Sequence, residues 1–67
     1  MPIAQINMLE GRTDDQKRIL IAKVTDAIQE ALNAPRSSIR VLLNELPKTQ
    51  WGIEGVTVAD REAATKQ

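Results

Sequence analysis

The chain has 67 residues, with nine basic and nine acidic side chains and a formal net charge of zero. Cysteine and histidine are both absent, which excludes disulfides and argues against a zinc site. The even charge balance argues against a nucleic-acid footprint, and no apolar run approaches the ~20 residues needed to span a bilayer.

This length suits one domain, residues 1–67, and no more. A lone domain of this size buries only about 60% of its unfolded surface and needs a staple. With disulfides and metal set aside, association with copies of itself is the staple that remains. The composition agrees: 42% of residues are hydrophobic, yet Trp51 is the only aromatic. Met1 to Met8 lack the basic start and apolar core of a signal peptide, so the expectation is a soluble, cytoplasmic protein.

In chain order, Pro2 to Met8 predicts a short strand, carried by Ile3, Ile6 and Met8. Glu10-Gly11-Arg12 reads as the turn after it. Thr13-Asp14-Asp15-Gln16 has the form of a capping box, with two acids where a helix dipole favours negative charge. Leu20, Ile21, Val24, Ala27, Ile28, Ala31 and Leu32 then recur at helical spacing as one broad apolar stripe. Arg18, Lys23, Asp26 and Glu30 take the other side, and Asn33 and Pro35 end the helix.

Ile39 to Leu46 predicts the second strand, closed by Pro47. Ile39, Val41 and Leu43 make one apolar face; Arg40, Leu42, Asn44 and Leu46 make a mixed one. One helix covers one face of a two-stranded sheet, so the Leu42 and Leu46 side calls for another protein surface. Two strands joined by such a helix form a parallel βαβ unit. Gln50 to Val58, with Gly52 and Gly55, predicts a small hairpin. Asp60 to Gln67 is polar and alanine-rich, and is compatible with a frayed helix or a flexible tail from about residue 59. The expected class is α+β: a β-α-β unit with a short C-terminal hairpin, assembled as an oligomer.

Acid–base chemistry needs a group that titrates near neutrality. Without histidine or cysteine, the candidates are carboxylates, lysines and the chain terminus. An α-amino group has an unperturbed pKa of about 7.7–8.0. The opening Met1-Pro2 permits removal of the initiator methionine, which would leave Pro2 as a secondary amine at the start of a strand. A proline at that place is also explained by strand geometry alone, since its missing N–H costs little there.

Arg12 and Arg40 can each grip a carboxylate in a bidentate fork, or stand as solvated surface arginines. Pro2 and Arg40 begin neighbouring parallel strands and so share one end of the sheet. Arg12 lies at the other end, beyond a strand rising about 3.3 Å per residue. If Arg12 serves the same site as Pro2, a neighbouring subunit must supply it. Trp51 can anchor its loop or a subunit contact, or provide a low-dielectric wall that disfavours a cationic amine.

Pro2-Ile3-Ala4-Gln5-Ile6, Leu9 to Lys17, Ser38-Ile39-Arg40-Val41, and Trp51-Gly52-Ile53 with Gly55 together resemble the 4-oxalocrotonate tautomerase family. The resemblance covers nearly all the chain up to about Val58. It implies a homohexamer, a trimer of dimers, that needs no cofactor. The implied activity interconverts 2-hydroxymuconate, a dienol diacid, with its ketones in the degradation of aromatic compounds. Carried over, Pro2 shuttles the proton and Arg40 binds the carboxylate and oxygen near the reacting enol. Arg12 holds the distal carboxylate, and Trp51 stands where the family often has phenylalanine. Hydratase and dehalogenase relatives carry an added acid near this loop. Here Ile53 aligns with it and Glu54 is adjacent, so strand alternation is expected to aim the two oppositely and disfavour water addition. Two other readings remain: a tautomerase of monoacid enols such as phenylenolpyruvate, and a non-catalytic oligomeric paralogue.

Overall fold

The computed structural model describes residues 1–65. The elements run β1 (Ile3–Leu9), α1 (Asp14–Leu32), β2 (Arg40–Leu46), β3 (Gly52–Ile53), β4 (Val56–Thr57) and α2 (Val58–Thr65). Short 3₁₀ turns at Arg36–Ser38 and Lys48–Gln50 lead into β2 and the hairpin. The expected β-α-β unit and C-terminal hairpin are both present.

β1 and β2 pair in parallel, with Ile3 opposite Arg40 and Leu9 opposite Leu46. The ladder reaches one residue further at each end. Arg40 N–H donates to the Pro2 carbonyl at 3.0 Å, and Glu10 N–H donates to the Leu46 carbonyl at 2.9 Å. The strands begin at Ile3 and Arg40, one residue after the expected Pro2 and Ile39, and β1 runs on to Leu9. Proline has no N–H to give the ladder. The Ile39 N–H closes the preceding 3₁₀ turn on the Arg36 carbonyl at 3.2 Å.

The capping box at the head of α1 forms in both directions. Gln16 N–H donates to Thr13 Oγ1 at 3.1 Å, and Thr13 N–H donates to Gln16 Oε1 at 3.0 Å. Asn33 adopts the left-handed conformation, with φ 52°, that ends helices without a β-carbon clash severe enough to exclude asparagine. Leu20, Val24 and Ile28 are half-buried, as are Ala4, Ile6, Val41 and Leu43 on the alternate positions of the strands. Lys17 binds Glu45 on β2 at 2.8 Å and also lies near Asp14. Its hydrogen bond to Glu45 holds the Lys17 ammonium above the ordinary lysine pKa of 10.5, with the Asp14 charge adding to the effect.

The expected stripe on α1 is wider than the sheet beneath it. Ile21 and Ala27 remain exposed, as do Ala31 and Leu32 in the last turn of the helix. On the opposite sheet face Ile3 is 63% and Leu42 52% exposed, whereas Leu46 is half-buried beside the Trp51 segment. Ile39, at 7%, is the one buried apolar side chain among the described residues.

β3 and β4 are joined through Glu54 and Gly55, with φ of 52° and 85°. Both central residues at positive φ is the form of a two-residue hairpin turn that matches strand twist. Glu54 therefore lies in the turn and not on a strand, so the alternation expected for Ile53 and Glu54 does not apply. Where a frayed helix or a flexible tail was expected, the described residues form a helix: α2 continues to Thr65, with Asp60 N–H donating to Thr57 Oγ1 at 3.1 Å. Lys66 and Gln67 lie outside the described residues. Lys48 pairs with Glu62 at 2.8 Å, tying α2 to the 3₁₀ turn after β2.

The radius of gyration is 15.8 Å, against about 11 Å for a compact chain of this length. The accessible surface is 5167 Å², against about 4,200 Å² for a compact monomer of this mass. One chain alone is thus extended and nearly coreless. Its apolar surface is arranged to be covered from outside.

Candidate active site

The four residues singled out in the sequence fall into two groups at opposite ends of the sheet. At one end, the Pro2 carbonyl is fixed by the first rung of the ladder, from the Arg40 amide. Pro2 is half-buried there. The Arg40 side chain curls back at the same end, donating from Nη1 to the Ser37 carbonyl at 2.8 Å and, less closely, to that of Ile39. One nitrogen of the guanidinium is thereby anchored, which orients the planar group while other N–H donors remain. Met1 is attached in this structure and 82% exposed, so the Pro2 nitrogen is an amide here and has no basicity.

At the other end, Arg12 and Trp51 line one cleft of about 630 Å³. It is lined by the end of β1 and the turn after it, Asn7 to Arg12, together with Lys48 and Trp51. Gly11, at φ 117°, makes the sharp turn that swings Arg12 back to this end. Trp51 is half-buried and held by its backbone, its carbonyl accepting from Val58 N–H at 2.8 Å. Among the described residues, Arg12 forms no ion pair. Glu10 also lines the cleft, so its lining holds one acid as well as two cations.

The two ends are separated by β1, about 23 Å at the usual rise of a strand. Within one chain the structure brings Pro2 together with Arg40, and Arg12 together with Trp51, and keeps the pairs apart. Lys48 is the cleft residue that the sequence reading missed. The available signal was its place directly after Pro47, which closes β2 at the same end of the sheet as the β1 turn.

No group of three or more histidine, cysteine or acidic side chains among the described residues could hold a metal ion. No helix among them is long and apolar enough to cross a membrane.

Comparison with known proteins bears on the fold and the family. Residues 2–61 match the family model described as tautomerase enzyme. The 2-hydroxymuconate tautomerase of Comamonas testosteroni is 50% identical over 60 residues, covering 90% of this chain and 95% of its own. Among solved structures, a 4-oxalocrotonate tautomerase isozyme from Methylibium petroleiphilum superposes with a TM-score of 0.90 at 43% identity. The match covers 94% of this chain and 98% of that one. A heterohexameric 4-oxalocrotonate tautomerase from Chloroflexus aurantiacus gives a TM-score of 0.85 at 33% identity, covering 90% of this chain and 97% of its own. With the family model spanning almost the full length and relatives this similar, the chain belongs to the tautomerase family of isomerases.

Proposed function

We propose that the protein interconverts 2-hydroxymuconate-type dienol diacids with their ketones, using Pro2 as general base and acid once Met1 is removed. The observation that carries this reading is the composition of the two ends. One presents a proline and, paired with it on the neighbouring strand, an arginine whose guanidinium is anchored; the other presents a cleft lined by Trp51 and by an arginine that forms no ion pair among the described residues. Both occur in a chain half identical to a 2-hydroxymuconate tautomerase.

In this mechanism the neutral Pro2 nitrogen takes the proton of the 2-hydroxyl as the enol oxygen becomes a carbonyl. The electron pair moves along the diene, and the protonated proline returns a proton to carbon. No cofactor takes part. A base that does both steps works best with a pKa near neutral. Guanidinium charge and exclusion of water both favour the neutral amine. Arg40 binds the carboxylate and oxygen beside the reacting centre, where charge grows toward the transition state. Arg12 holds the far carboxylate in a bidentate fork, and Trp51 walls the cleft.

Because Pro2 and Arg12 lie at opposite ends of the sheet within one chain, a complete site takes Pro2 from one subunit and the Arg12–Trp51 cleft from another. A closed homo-oligomer meets this need and covers the exposed apolar face. We propose a homohexamer, with a cytoplasmic site of action in the breakdown of aromatic compounds. The test is the rate of 2-hydroxymuconate ketonisation by protein whose intact mass lacks Met1, repeated after chemical blocking of the Pro2 amine. Activity that disappears on blocking supports the mechanism. Activity that survives, or a native protein that retains Met1, overturns it.

A further inference from the structure

Lys48 lines the same cleft as Arg12 and Trp51, and it also pairs with Glu62 on α2. Its ammonium sits 2.8 Å from Glu62, and both side chains are only about half-covered, at 44% and 43% exposure. A pair this exposed contributes little to stability, commonly below about 1 kcal/mol. Its position matters more. Lysine is a flexible point charge with three donors, so it can keep one contact to Glu62 and still present donors to an anion in the cleft. Arg12 and the acid Glu10 also line the cleft, so with Arg12 as its one cation the cleft would hold no net positive charge to favour a second carboxylate.

We infer that Lys48 is a second distal-carboxylate-binding cation, and that Glu62 on α2 tempers its charge and so sets how strongly the cleft prefers diacids over monoacids. This rests on the tautomerase reading of the cleft. α2 thereby becomes part of substrate selection: the same carboxylate that ties Lys48 to the helix competes with the substrate for it.

The test compares binding of two unreactive six-carbon acids, adipate with two carboxylates and hexanoate with one, measured by calorimetry on the assembled protein. Lys48→Met is expected to weaken adipate about fivefold and hexanoate less than twofold, the size of one partly exposed charge contact. Glu62→Gln is expected to move adipate the other way, tightening it about twofold. That gain should vanish in the Lys48→Met/Glu62→Gln double variant. Lys48→Arg, which keeps the charge, should restore most of the adipate preference. If the pair merely staples α2, both single variants would shift binding in the same direction and treat the two acids alike, which overturns the inference. So would the absence of adipate binding by the unsubstituted protein. Binding is read without turnover, so an inactive protein that still shows the Lys48-dependent preference contradicts the catalytic reading and leaves this one standing.

Discussion

Arg40 and Arg12 carry the same side chain in different settings, and their substitutions should fail differently. Arg40 is anchored to the Ser37 carbonyl at the end of the sheet that carries Pro2, where the proposed mechanism has charge develop. Arg40→Ala is expected to lower kcat by about 10²–10³-fold, the range for loss of one preorganised donor to a developing oxyanion. Arg12 lines the cleft away from Pro2. Arg12→Ala is expected to raise KM for diacids about tenfold with a smaller change in kcat, as for loss of uniform binding. Steady-state kinetics on 2-hydroxymuconate checks both, and equal effects on both parameters would remove the division of roles. Lys17 gives a pH-dependent case. Its pKa is raised on folding by Glu45 and Asp14, so its contribution to stability is present below about 10.5 and fades as pH rises through the folded value. Denaturant midpoints measured on either side of that pH should fall less steeply for Lys17→Met than for the unsubstituted protein. The Pro2–Arg40 adjacency was legible in the sequence because parallel pairing fixes which strand starts meet. Lys48 was not, because its approach depends on a 3₁₀ turn that leaves no periodic signature.

At the scale of elements, α1 was readable from both ends: Thr13 and Gln16 form the capping box, and Asn33 takes the left-handed cap. Thr13→Ala should cost about 1 kcal/mol, seen as a lower denaturant midpoint, while Thr13→Asn should cost much less. The hairpin was legible through Gly52 and Gly55, but its turn was not, since Glu54 carries one of the two positive φ angles usually given to glycine or asparagine. α2 was ambiguous for a physical reason. It is short, polar and alanine-rich, and the contacts that place it come from residues outside the helix: Lys48 to Glu62, and Arg61 donating to the Ile53 carbonyl at 3.3 Å.

The whole molecule follows from an insufficiency. A parallel pair of strands ordinarily lies buried on both faces, and here only one face has a helix. Ile3, Leu42 and exposed apolar side chains of α1 are left for other chains to cover. Thermal stability should therefore rise with protein concentration, and Leu42→Glu should drive the protein toward unfolded or dissociated chains, which sedimentation would show. The need for partners was legible from length and the absence of cysteine; which apolar surfaces a lone chain leaves open became visible only in the fold. Sharing of each site between subunits is tested most directly by mixing two defective proteins, Pro2→Ala and Arg12→Ala, through joint refolding and measuring kcat/KM for 2-hydroxymuconate. If Pro2 and Arg12 come from different chains, about a quarter of the sites in an even mixture regain both residues, and activity rises well above that of either variant. Activity no higher than half that of Arg12→Ala alone would mean that each chain builds its own site, contradicting the assembly.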